Sequence, residues 1–274
     1  MDNLVIRDEY EMTAESVRIA VRPHRKNFHE KYKSGFCFFS DSSFLCDYMM
    51  FAFAGISVKY GKHIAKPLYV ERGDESDFRK ELLEEKNIKS VPFESLGAEP
   101  SNMAAFVFAD CVGGLDQKDV TLASLKRFFE IQKNKPFNKC IISVVMPEIP
   151  AYPENITALA ERELDYWLEE KCEKTPGIEY YLALEKLCRE AMRDYGLNIV
   201  MLRFTNVFSP DHYSTPSIDI EKIVTDAFEE SSVTVTADDL KLHTSLLYVR
   251  DACAIIIKTL RFGVEGNIYN SMSR

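Results

Sequence analysis

The sequence lacks most short motifs that would announce a chemistry. It has no CxxC pair, no HExxH, no GxSxG nucleophile elbow and no GxxxxGK[ST] phosphate loop, which removes the usual local signatures of zinc sites, serine hydrolases and P-loop enzymes. Its five histidines (His24, His29, His63, His212, His243) are dispersed, so no metal site is expected. No pair of carboxylates stands at a spacing that assigns an acid and a base, and the acidic run from Glu161 to Glu173 reads as a solvated helix face. Repeats, low-complexity tracts and Gly/Ser/Pro-rich linkers are also missing, which argues for one principal domain.

Long hydrophobic runs are scarce too. The most apolar stretch, residues 36–58, is interrupted by Ser40, Asp41, Ser42, Ser43 and Asp47, so it reads as a buried strand followed by a helix rather than a membrane span. The first residues carry charge from Asp2 onward, which predicts no export signal. With 43 acidic against 34 basic residues, the net charge of -9 disfavours nucleic acid and membranes as partners. Seven scattered cysteines set in apolar runs suit reduced core thiols and a cytoplasmic protein.

What is present is an alternation of short Val/Ile/Phe-rich runs with longer amphipathic stretches. Strands are predicted at Gly35–Phe39, Pro67–Val70, Ala105–Ala109, Lys139–Val145, Asn198–Phe204 and Ser232–Thr236. Helices are predicted at Ser43–Ala54, Ser76–Glu85, Leu122–Lys133, Thr157–Lys171 and Ile178–Tyr195. Such alternation specifies an α/β fold, a doubly wound parallel sheet covered on both faces. In the helix at 178–195, Tyr181, Leu184, Leu187, Cys188 and Ala191 form one stripe, with Glu185, Arg189 and Arg193 falling largely off it. The helices at 157–171 and 178–195 could pack on one another, or meet their copies in a homodimer or heteromer. Residues 1–34 form an N-terminal extension expected to place a helix on the domain edge. Its cluster Arg18, Arg22, His24, Arg25 and Lys26 reads as solvated surface.

One segment is specific. YYLALEKLCREAMRDYGLNIVMLRFTNVFSP, Tyr180 to Pro210, resembles the extended short-chain dehydrogenase/reductase family, which includes NAD-dependent nucleotide-sugar epimerases and dehydratases. The matching elements are Lys186, Glu190, Tyr195–Gly196–Leu197 and the Arg203-x-x-Asn206–Val207–Phe208–Ser209–Pro210 turn. LLYVRDACAIII and GNIYN downstream, and KPLYVERGDESDFRKELL upstream, extend the likeness across residues 35–270. The resemblance implies a Rossmann-like domain over 35–274, with a small C-terminal substrate lobe supplied mainly by 205–274. It also implies NAD or NADP as cofactor and a nucleotide-sugar as ligand.

The positions that matter in that family are altered here. A dinucleotide site needs glycines in the first strand-to-helix turn, because the pyrophosphate must approach backbone without meeting Cβ atoms. In FFSDSSFLCDYMM those positions fall on Ser40, Ser43 and Cys46, with Asp41 and Asp47 adding negative charge. Residual anion binding by the serine hydroxyls, with Arg72 reaching a ribose, is the functional alternative. A well-capped buried helix is the structural one. The family's catalytic tyrosine would stand four residues before Lys186, where this chain has Leu182. Tyr181 lies five residues away and, at about 100° per residue, off the lysine's face. The strand hydroxyl aligns with Val145, with Ser143 nearby. Lys186, Tyr180, Tyr181 and Asn206 remain the candidates for catalysis and substrate contact. The expected function is an epimerase/dehydratase-like protein of nucleotide-sugar or glycan metabolism with lost or altered hydride transfer and a binding or scaffolding role. The alternative is an active epimerase, dehydratase or reductase with a non-standard NAD(P) site.

Overall fold

The computed structural model describes residues 3–33, 35–40, 43–59, 67–71, 73, 77–92, 95–96, 102–113, 115–134, 136–146, 168–170, 172–205, 207–209, 212–213 and 247–271. In chain order these give α1 (Asn3–Val21), a 3₁₀ turn (Arg22–His24), α2 (Arg25–Lys31), β1 (Gly35–Ser40), α3 (Phe44–Lys59), β2 (Leu68–Glu71), α4 (Asp77–Glu85), β3 (Lys89–Pro92) and β4 (Met103–Asp110). There follow α5 (Lys118–Gln132), β5 (Lys139–Met146), α6 (Pro176–Tyr195), β6 (Ile199–Thr205), β7 (Val207–Ser209), β8 (His212–Tyr213), β9 (Leu247–Tyr248), α7 (Val249–Phe262) and β10 (Ile268–Ser271).

Seven strands form one sheet in the order β10-β6-β5-β4-β1-β2-β3, every neighbouring pair parallel. The strand order reverses between β1 and β4, the arrangement of a doubly wound Rossmann-like sheet. Side chains alternate as a two-residue period requires. Phe36, Phe38, Phe106, Phe108, Ile141 and Val145 face the layer built from α1, α3 and α7. Cys37, Phe39, Val107, Ile142 and Val144 face α5 and α6. Both faces are covered, which is why the central strands are apolar without interruption.

Helix α3 is apolar nearly all round, and the reason is its position: the sheet covers one side and α1 the other. Tyr10 of α1 stacks on Tyr48 of α3 with ring centroids 3.9 Å apart. The buried Glu9 accepts two hydrogen bonds from Arg250 of α7, at 2.6 and 2.7 Å. The N-terminal extension thus packs as a third layer over α3 and α7. Helix α6 carries its own boundaries: Thr175 caps the first turn through its side chain, Pro176 opens it, and Gly196 at φ 65° closes it.

Each strand and helix predicted within the described residues is present, with ends shifted by one to a few residues. The largest shift is at α3, which runs on to Lys59 rather than ending at Ala54, and α5 starts at Lys118 rather than Leu122. The strand expected at 232–236 lies outside the described residues, as does all of the helix at 157–171 except 168–170, which are helical. One expectation is corrected: Glu185 is buried rather than off the apolar stripe, for a reason given below. Of residues 205–274, β10 pairs into the main sheet, and β7, β8 and β9 form a separate three-stranded sheet in the order β8-β7-β9. The intramolecular packing of α6 is against α5 and the sheet.

Candidate active site at the sheet switch point

In an open α/β sheet, ligands bind beyond the carboxyl ends of the strands where the order reverses. Here that crevice lies between β1, ending at Ser40, and β4, ending at Asp110. Asp110 is buried, and its Oδ1 accepts the backbone N–H groups of Val112 and Gly113 at 2.8 and 2.9 Å. That closes the chain into a tight turn, so tight that a Cβ on Gly113 would stand 3.2 Å from the Asp110 carboxylate.

The wall opposite is the N-terminus of α3. Ser40, Ser43 and Cys46, the three positions that would have to be glycine, are all buried, so their side chains occupy packed volume. Asp47, in the first turn, is buried as well and forms an ion pair with Arg79 of α4. Arg79 Nε donates to Asp47 Oδ1 at 2.7 Å, and Nη2 donates to Asp47 Oδ2 at 3.2 Å and to the Ser43 carbonyl at 3.0 Å. Nη1 donates to the Tyr69 hydroxyl at 3.4 Å, and the guanidinium lies over the Tyr69 ring. Burial works to lower the Arg79 pKa, but Asp47 and its other neighbours hold it well above its ordinary value. The positive end of α3 is therefore neutralised by the protein's own carboxylate, whose charge is balanced by a guanidinium turned inward. Three side chains in place of glycines and an acidic group at the helix start do not fit a pyrophosphate.

On the other side of the sheet, α6 presents Tyr181, Leu182 and Lys186. Lys186 is exposed, Leu182 half-buried, and Tyr181 fully buried. The Tyr181 hydroxyl donates to Glu185 Oε2 and accepts from Arg203 Nε of β6, the latter at 2.5 Å. Arg203 Nη2 donates to the same Glu185 oxygen at 3.1 Å, and Arg189 donates to Glu185 Oε1. Arg203 Nη1 reaches Asn270 Oδ1 on β10 at 3.4 Å. Glu185 is buried because it is the shared acceptor of two arginines and a tyrosine, a pairing that the period of the helix could not reveal. Burial, chiefly, and the Glu185 carboxylate push the Tyr181 pKa far above the ordinary tyrosine range, against the pull of Arg203. Despite burial, which raises it, the Glu185 pKa lies below its ordinary value because Tyr181 and the two arginines stabilise the carboxylate. Tyr181 is thus a hydrogen-bonding bridge, tying α6 to β6.

The remaining candidates are placed as follows within the described residues. Tyr180 is buried beside Tyr181. Val145 and Ser143 are buried on β5, facing the α3 layer, and the Ser143 hydroxyl has no hydrogen-bond partner among the described residues. Arg72 and Asn206 lie outside the described residues. No group of three or more His, Cys, Asp or Glu side chains is arranged to hold a metal among the described residues. No helix among them is long and apolar enough to cross a membrane. Sequence reading missed Arg79 and the Glu185–Arg203 pair. The available signal was Asp47 inside an apolar helix, since a buried carboxylate calls for a cation.

Residues 169–271 match the sequence model of the NAD dependent epimerase/dehydratase family. A search of curated proteins finds no match. Among solved structures, the chain resembles UDP-glucuronic acid 4-epimerase from Bacillus cereus, in complex with UDP-glucuronic acid and NAD, with a TM-score of 0.61 at 13% identity, over 87% of this chain and 78% of that one. It resembles UDP-glucose 4-epimerase from Thermotoga maritima with a TM-score of 0.61 at 14% identity, over 87% and 77% of the two chains. The dTDP-glucose 4,6-dehydratase of Streptomyces venezuelae gives a TM-score of 0.58 at 14% identity, over 86% and 74%. The resemblance read from residues 180–210 is borne out: the fold is that of the extended short-chain dehydrogenases/reductases, and residues 169–271 match the NAD-dependent epimerase/dehydratase family in sequence.

Proposed function

We propose that this chain is an epimerase/dehydratase-like protein that has given up hydride transfer and keeps the fold for binding or scaffolding in nucleotide-sugar metabolism. The observation that carries the reading is the placement of Tyr181 relative to Lys186. Tyr181 is buried against Glu185 and Arg203, its pKa driven up, while the position one helical turn before Lys186 is Leu182. A tyrosine acid/base works only with its pKa drawn toward the working pH and a path to substrate, and Tyr181 has neither. The Asp47–Arg79 pair at the start of α3 supports the same reading from the cofactor side. NAD or NADP is what the family likeness brings, yet the residues at that turn do not fit its pyrophosphate, and no step is derived through it.

The exposed Lys186 and the half-buried Leu182 and Leu187 give α6 an outer face suited to pairing with a second copy or an active relative, together with residues 157–171. Seven buried thiols without a disulfide suit a reducing, cytoplasmic setting. The test is calorimetric titration of the purified protein with NAD⁺, NADP⁺ and UDP-, GDP-, dTDP- and CDP-sugars at low salt. The proposal expects no dinucleotide binding at micromolar concentration from folded protein. Micromolar binding of either dinucleotide would overturn it and support the alternative, an active enzyme with a non-standard site.

A further inference from the structure

The net charge of -9 conceals a strong local excess of the opposite sign. Between residues 22 and 33 stand Arg22, Arg25, Lys26, Lys31 and Lys33, against the single acid Glu30. Arg22, Lys26, Lys31 and Lys33 are exposed. The fold joins this segment to the end of α7. His24 is hydrogen-bonded to Arg261, and its ring lies 6.2 Å from that of Phe262. Asn138 donates to the Lys31 carbonyl, while Lys139 Nζ donates to the Gly263 carbonyl at 2.7 Å. Lys258 adds an exposed cation one turn before Phe262.

At the centre of this pole, apolar side chains protrude. Phe262 is 64% exposed with the Arg261 guanidinium 4.5 Å from its ring centroid, and Val264 is 58% exposed. An isolated exposed valine or phenylalanine needs no explanation, but two of them at a helix end surrounded by cations do. Within residues 22–33 and 258–265 the acidic side chains are Glu30 and Glu265. It lies where β1, β5 and β10 begin, at the end of the sheet opposite the switch-point crevice.

We infer that this pole docks on an anionic membrane surface, Phe262 and Val264 entering the headgroup layer while Arg22, Lys26, Lys31, Lys33, Lys258 and Arg261 face acidic lipid. Charge complementarity carries the choice of partner, and the protruding apolar pair favours a bilayer over an acidic polypeptide. The inference is independent of whether the crevice binds a dinucleotide, and docking in this way turns the crevice away from the membrane.

The test is co-sedimentation of the full chain with vesicles of 70% phosphatidylcholine and 30% phosphatidylserine, and with pure phosphatidylcholine, at low and high salt. Binding is expected only to the anionic vesicles and weakens as salt rises. R22E/K26E should weaken it by at least about thirty-fold, two cations each contributing about fivefold near the surface. F262S should weaken it while leaving the salt dependence intact. The control K80E/K126E, on exposed parts of α4 and α5, should bind as the wild type does. Thermal melting of each variant separates lost binding from lost fold. No binding of wild type to the anionic vesicles, equal binding to neutral ones, or equal loss in the control would each overturn the inference. Capture by polyglutamate without vesicle binding would reassign the pole to an acidic polypeptide, also against it.

Discussion

Replacing Tyr181 by phenylalanine removes one oxygen atom and keeps the ring in place. The hydroxyl donates to the Glu185 carboxylate and accepts from Arg203 Nε, both in the protein interior. Hydrogen bonds to charged groups contribute about 1.5–3 kcal/mol each, but Glu185 retains Arg203 and Arg189, so no buried charge is left alone. The expected cost is therefore near the lower end, about 2 kcal/mol, well short of the roughly 3–5 kcal/mol that follows when a buried ion pair loses one partner. At about 2–4 °C per kcal/mol for a chain of this size, Tm should fall by about 4–8 °C.

The pH dependence gives the sharper discrimination. The Glu185 pKa is depressed in the folded state, so its contribution is fully present above the ordinary value of 4.5 and is lost as pH falls through the depressed value. Tyr181→Phe removes one of the groups that depress it. The difference between mutant and wild type is then largest at neutral pH and shrinks in that acid window. Urea denaturation at several pH values measures it, and a double-mutant cycle with Glu185→Gln should give a coupling of about 1 kcal/mol or more. A mutant as stable as wild type, or a stability difference that grows with acid, would refute the network as the role of Tyr181.

At the start of α3, Arg79→Met leaves Asp47 buried without its cation and should cost about 3–5 kcal/mol. Asp47→Leu/Arg79→Met should recover most of that in chemical denaturation, since an apolar pair avoids desolvation altogether. Leu182→Tyr places a hydroxyl one turn before Lys186, yet nicotinamide-dependent turnover of sugar nucleotides should stay undetectable, because the glycine positions of the α3 turn remain Ser40, Ser43 and Cys46. Arg250→Gln should raise the Glu9 pKa, which lies below its ordinary value chiefly through Arg250 acting against burial. The acid limb of unfolding then moves to higher pH, and protease cleavage within α1 at neutral pH increases.

The fold was legible because its determinants are local and repetitive: apolar alternation in β1, β4, β5 and β6, and the Thr175, Pro176 and Gly196 signals that bound α6. The segment from Tyr180 to Pro210 carries a helix followed at once by a buried strand, and α6 and β6 stand there. What stayed hidden were pairings across long sequence separations. Arg79 lies 32 residues from Asp47 and Arg203 lies 18 from Glu185, and nothing in helical periodicity marks a charged residue as half of a buried pair. Nor could the period distinguish Tyr181 as a core residue from Tyr181 as a displaced acid/base, because both place it on the buried side of α6.

The two interior networks, Asp47–Arg79 at the start of α3 and Tyr181–Glu185–Arg203 between α6 and β6, have the same logic. A functional crevice keeps polar groups unpaired and aimed at a ligand, and so carries a desolvation cost that the ligand relieves. Here Arg79, Asp47, Tyr181, Glu185 and Arg203 answer one another instead, so that cost is met within the fold. If a ligand entering at α3 displaced Arg79 from Asp47 and the Ser43 carbonyl, the cost of breaking that pair would come out of its own binding energy. Micromolar binding corresponds to only about 8 kcal/mol, of which the roughly 3–5 kcal/mol for the broken pair would consume about half. In that case a dinucleotide's affinity would fall toward the millimolar range.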